Sequence, residues 1–125
     1  MGPWNRTLAP LLTASATGWE CGGQPELNCG VSNPAVVFNP DGTLLMFYRG
    51  NNDRGVGVAS APHWRGPWTK HGGSIFPPAV VVGLEDMYAW RNPQRAGRPG
   101  CHMVLHQECA GVENIGAHAF TEDPR

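Results

Sequence analysis

Two adjacent carboxylates, Glu85 and Asp86, open an apolar run that ends in Trp90, and three histidines, His102, His106 and His118, follow them. Carboxyl groups can act as general acid, general base or metal ligand, and imidazoles as proton carriers or metal ligands. In a strand, neighbours in sequence point to opposite faces, so Glu85 and Asp86 cannot both address one atom, and Glu85 is assigned a structural role. His102 and His106 share one face of a strand and would gather a metal with His118 only if cross-strand pairing joined all three. A neutral imidazole hydrogen-bonded within a sheet is the commoner arrangement, so no metal site is assigned. The spacings of Cys21 to Cys29 and of Cys101 to Cys109 do not follow a Cys-x-x-Cys zinc pattern. Cys21 and Cys29 either close a short loop rich in Gly and Pro or remain thiols like the other two. No phosphate-cradling Gly loop, Ser or Cys nucleophile signature or dinucleotide fingerprint is present, and no cofactor is expected.

The elements that must position these groups are short. Gly (17) and Pro (12) approach a quarter of the 125 residues while charged residues are 15%, which suits many strands joined by tight turns, an all-β chain. A net charge of −1 without a Lys/Arg cluster gives no footprint for nucleic acid or an anionic membrane surface. The longest aliphatic stretch, Ala79 to Val82, falls far short of the roughly 20 residues of a membrane span. The N-terminus lacks the basic and then apolar pattern of a signal peptide, although the acceptor sequon Asn5-Arg6-Thr7 and the four cysteines would suit the secretory pathway or an extracellular site.

An internal repeat organises the chain. Asn33-Pro34-Ala35-Val36-Val37-Phe38-Asn39-Pro40 lies over Asp86-Met87-Tyr88-Ala89-Trp90-Arg91-Asn92-Pro93 without a gap. Gly42 to Tyr48 then lies over Gly100 to His106, and Val56 to Ala61 over Ile115 to Phe120. Each copy reads as strand, hairpin, apolar strand, polar loop and Gly-containing strand. Asn39-Pro40-Asp41-Gly42 carries the chemistry of a tight turn. The run Pro62 to Thr69 supplies a fourth, outer strand in which Pro limits pairing. Strands apolar on both faces call for stacked blades rather than a lone sheet open to water. The expected organisation is an N-terminal segment over 1–32, left from a preceding blade, one blade over 33–72 and a truncated one over 73–125.

The runs NPAVVFNPDGTLLMFYRG, GVGVASAPHWRGPW, LEDMYAWRN, CHMVLHQ and IGAHAF resemble blade segments of the propeller glycosidases of glycoside hydrolase family 43 and its relatives. The resemblance implies about two four-stranded antiparallel blades of an incomplete five-bladed β-propeller with carbohydrate at its axis. It further implies three carboxylates from different blades: a basic Asp, a pKa-tuning Asp and an acidic Glu, of which Asp86 matches the second. Relatives carry Asp-Pro at that point, where this chain has Asp86-Met87. Asn33, one repeat earlier, keeps its Pro34 but is an amide and cannot accept a proton, so it is expected to hydrogen-bond a sugar hydroxyl. The acidic Glu is expected in a blade beyond Phe120, and His118 is expected near the axis as a binding residue. Trp64 and Trp68 are expected to pack between blades, Trp90 could stack on a sugar, and Arg49 could reach a carboxylate in the funnel, although a solvated strand end is the expected reading. These readings together describe a fragment that hydrolyses O-glycosidic bonds when full length and is inactive alone, or else a non-catalytic carbohydrate-binding piece. Its partners are carbohydrate and the missing blades of a longer chain, or its own copies.

Overall fold

The computed structural model describes residues 4–16, 18–21, 29–51, 55–77, 83–92, 100–109 and 112–123, with backbone alone for 108, 109 and 112–115. Among them it is all-β, without an α-helix. Strands β1 (Val31–Phe38), β2 (Leu44–Gly50), β3 (Val56–Ala61) and β4 (Thr69–Lys70) form one antiparallel sheet in chain order. Strands β5 (Leu84–Asn92), β6 (Gly100–Cys109) and β7 (Val112–Thr121) form a second. No helix among the described residues is long and apolar enough to cross a membrane.

The β1–β2 hairpin closes as its residues dictate. Gly42 takes φ 86° and donates to the Asn39 carbonyl at 3.0 Å, and the Asn39 N–H donates to the Thr43 carbonyl at 2.8 Å. The Thr43 hydroxyl and N–H both donate to Asp41 Oδ1, at 2.7 and 3.0 Å, and hold that carboxyl below its ordinary range.

The two sheets stack through one apolar seam, with Ala35, Val37, Leu45, Phe47, Val56 and Val58 facing Leu84, Met87, Ala89, Cys101, Met103 and Leu105. Burial raises the pKa of the Cys101 thiol there. How the sheets meet follows from their backbones. Each first strand has a register shift, between Ser32 and Ala35 in β1 and between Glu85 and Tyr88 in β5, and each shift contains a residue of positive φ: Asn33 at 47° and Asp86 at 52°. With those landmarks superposed, Ala35 corresponds to Tyr88 and Val37 to Trp90. Yet Ala35 and Val37 are buried while Tyr88 is exposed, and Met87 and Ala89 are buried instead. The front of the first sheet, the face of Ala35 and Val37, therefore rests on the back of the second. A sandwich built on a two-fold axis would bury equivalent faces. Front-to-back stacking is how successive blades follow one another, so the four- and three-stranded sheets fit partial propeller blades.

This stacking corrects the alignment of the return strands. Ala35 pairs with Phe47 and Tyr88 with Val104, so Phe47 corresponds to Val104 rather than Leu105. Likewise Arg49 pairs with Val56 and His106 with Gly116, so Val56 corresponds to Gly116 rather than Ile115. Matching apolar residues finds the buried set of each sheet, and those sets lie on opposite faces. In a strand a change of face is a slip of one residue.

The described N-terminal residues form no strand and cover part of the back of the first sheet. Trp19, in the 3-10 turn Trp19–Cys21, stacks on Tyr48 with ring centroids 5.7 Å apart. Gly50 and Gly57 leave room for these rings, since a Cβ at either would collide with Trp19 or Tyr48. Glu20 is buried and accepts from the Tyr48 hydroxyl at 2.8 Å, the Ser15 N–H at 2.5 Å and the Lys70 ammonium at 2.6 Å. A Cys21–Cys29 disulfide follows, which settles the alternative for that pair. At the outer edge, Trp64 is 47% exposed and accepts at its carbonyl from Trp68 Nε1, so this tryptophan does not pack between blades as expected. The edge strand β4 starts only after Pro67, where a donor N–H is available again.

Burial raises the pKa of Glu20, but the donors from Lys70, Ser15 and Tyr48 outweigh it and bring the net value below 4.5. A carboxylate depressed by folding stabilises above its unfolded pKa, and that contribution is lost as pH falls through the folded value. Glu20→Gln should lower unfolding free energy at neutral pH by about 2–4 kcal/mol, because it strands the Lys70 charge. In urea titrations the gap between variant and wild type should narrow steadily on acidification below pH 4.5; a gap independent of pH would remove Glu20 as the anchor.

Candidate functional site

The two left-handed residues meet. Asn33 and Asp86 lie in adjacent first strands, and Asn33 Nδ2 donates to Asp86 Oδ1 at 3.4 Å. Asn and Asp enter the left-handed region more readily than other non-glycine residues, since their short polar side chains bond locally. A bulge at the same point suspends the alternation of side chains and re-aims the residue it contains. This is why repeat-equivalent residues of different sheets converge at one end of the pair. It also corrects the premise that Glu85 and Asp86 follow simple strand alternation.

Glu85 has its own partners. Arg49 Nη1 forms an ion pair with Glu85 Oε2, and His106 Nδ1 lies 3.8 Å from Glu85 Oε1. Arg49 is thus no solvated strand end: its side chain is 19% exposed and bridges the two sheets. Of the two readings of Arg49, a reach to a carboxylate and the favoured solvated strand end, the first is the one found, with Glu85 as the carboxylate.

His118 lies on β7, two strands from β5, and takes part in a different cluster. Its Nε2 is 3.1 Å from His102 Nδ1, and the His102 ring stacks on Trp90 at 5.3 Å between centroids. The structure thus brings Asn33 and Asp86 together and keeps His118 with Trp90, His102 and Phe120. Among the described residues no three His, Cys, Asp or Glu side chains gather as a metal site. A groove at the opposite end of the seam holds Arg91, whose Nε and Nη2 donate to Asn39 Oδ1 at 2.8 and 2.5 Å. It also holds Ser60 Oγ 2.6 Å from His71 Nε2, a pair that neither the repeat nor any motif points to.

Chemically, the Asn33–Asp86 pair offers one carboxylate beside an amide that can orient it. Glu85 is occupied by Arg49. Glycosidic cleavage with inversion needs two carboxyl groups roughly 6.5–9.5 Å apart, one protonated and one ionised. Asp86 can serve as one of a set, or as a group that tunes another.

Comparison with known proteins finds a partial similarity to two arabinan endo-1,5-alpha-L-arabinosidases. The chain is 36% identical over 70 residues to a probable arabinan endo-1,5-alpha-L-arabinosidase A of Aspergillus flavus, a match covering 56% of this chain and 21% of that protein. The Aspergillus oryzae protein of the same name matches to the same extent. The matched stretch therefore spans about a fifth of the length of these curated relatives. No family model matches the chain, and no solved structure matches it.

The left-handed geometry of Asn33 has a measurable cost. Asn33→Ala and Asn33→Gly lose the same hydrogen bond to Asp86, but only Ala is strained at φ 47°. The Gly variant should be more stable than the Ala variant by about 1 kcal/mol in chemical denaturation. Equal stabilities would mean that Asn33 does not hold this conformation in solution.

Proposed function

We propose that these residues are two successive blades of a propeller glycosidase of the family 43 type, in which Asp86 tunes or supplements a catalytic carboxyl group at the axis. The observation that carries the reading is the convergence of repeat-equivalent Asn33 and Asp86 from adjacent blades, in a chain similar over 70 residues to arabinan endo-1,5-alpha-L-arabinosidases. The substrate class that follows is an arabinose-containing polysaccharide, cleaved at an O-glycosidic bond. Asn33 orients Asp86 or donates to a sugar hydroxyl. A proton donor to the leaving oxygen and a base for the attacking water are supplied by carboxylates of further blades.

Asn33 stands where a base would be needed, and Glu85 is neutralised by Arg49, which favours a second reading: a carbohydrate-binding piece without catalysis. The two readings part in one experiment. In a five-bladed form containing this sequence, Asp86→Asn should reduce release of reducing ends from linear 1,5-α-arabinan by roughly a hundredfold or more. The 125-residue chain alone should release none above background. Unchanged turnover in the Asp86→Asn variant removes Asp86 from the site. Binding of arabino-oligosaccharides by the five-bladed form, without cleavage, selects the second reading.

A further inference from the structure

Asn5-Arg6-Thr7 is the one Asn-x-Ser/Thr triplet in the sequence without a central proline, and neither the seam nor the candidate site uses it. It stands on a segment that the fold leaves open. Residues 4–10 are all exposed and belong to no strand. Contact with the first sheet begins further along, where Leu11 and Leu12 line a groove with Val31, Pro34, Met46 and Tyr48. Beyond that groove the segment is pinned, through the Ser15 N–H on Glu20, Trp19 on Tyr48 and the Cys21–Cys29 disulfide. Asn5 thus lies upstream of every anchor. The Thr7 hydroxyl donates to the Ala9 carbonyl at 3.0 Å, an exposed local bond that water can replace at little cost.

We propose that Asn5 is a modification site and carries an N-linked glycan. Two independent observations support it. The acceptor triplet sits where a bulky polar group displaces nothing packed. The Cys21–Cys29 disulfide belongs to an oxidising compartment such as the lumen of the secretory pathway, where oligosaccharide transfer to asparagine also takes place. In the transfer, the Asn5 amide nitrogen bonds to the anomeric carbon of a lipid-pyrophosphate-linked oligosaccharide. The bond from that carbon to the pyrophosphate oxygen breaks, the lipid pyrophosphate leaves with the electron pair, and one amide proton passes to a base of the transferase. Thr7 supplies the hydroxyl that marks the acceptor, two residues on. The attached sugar also has apolar surface to cover, since Trp4, 98% exposed, and the equally open Leu8 flank the triplet. Glycosylation at Asn5 is independent of whether the two sheets belong to a glycosidase.

Expression of the 125-residue chain in cultured eukaryotic cells, behind a cleaved secretion leader, tests this by intact mass and peptide mapping. Wild type should be heavier than the 13.5 kDa of the bare chain by one glycan. Digestion with peptide-N-glycosidase should remove the excess and convert the acceptor amide to a carboxyl. Asn5→Gln and Thr7→Ala should both appear at bare mass, whereas Thr7→Ser, which keeps the hydroxyl, should retain the glycan. Mapping of the wild type should also find the Cys21–Cys29 bond. Transfer precedes folding, so chain retained inside the cells gives the same reading as a shift in gel mobility on digestion. Wild type with an unmodified Asn5 would overturn the proposal. So would a glycan that persists in Asn5→Gln, or free thiols at both Cys21 and Cys29.

Discussion

Everything in this structure depends on one packing constraint, the burial of the front of one three-stranded meander against the back of the next. Neither sheet alone could keep its apolar residues from water on both faces, and at roughly 25 cal/mol per Å² the gain from joining them is the main force available to a chain of this size. The same constraint positions the chemistry. Stacking with a constant sense brings first strand beside first strand, so the bulges that hold Asn33 and Asp86 come side by side. The Arg49–Glu85 pair bridges the two sheets near the same end. It lies where a slip between the sheets would separate opposite charges that are only partly solvated.

The fold was largely legible because its signals are local. The Asn39 to Gly42 turn, the Gly-bearing third strands and the recurrence of Asn-Pro are each written in a few consecutive residues. The register of the second copy was not legible to a single residue, since burial alone cannot say which face of a sheet is the covered one. The Glu20, Tyr48 and Lys70 network escaped for a related reason: its members are up to 50 residues apart and no spacing rule joins them. At the candidate site, Asp86 and Asn33 were marked by their place in the repeat. The pairing of Glu85 with Arg49 is a contact between sheets, and it becomes visible only once the sheets are assembled.

The described N-terminal residues show how a sheet face can be covered without a strand. Rather than a strand, an irregular segment is held there by one stacked tryptophan, one buried carboxylate and a disulfide. A buried ion pair contributes little net stability compared with apolar packing of the same volume, but it penalises every misplacement of its partners. Glu20 therefore fixes where the segment sits more than how tightly it holds. The apolar contact of Trp19 with Tyr48 supplies the adhesion.

Cys101 gives the seam an internal clock. Its thiol is buried between the sheets, and burial disfavours the thiolate that reacts with alkylating reagents. Modification at that position, read by peptide mapping, can proceed only as often as the two sheets part, so its rate reports the opening of the seam rather than the fraying of its edges.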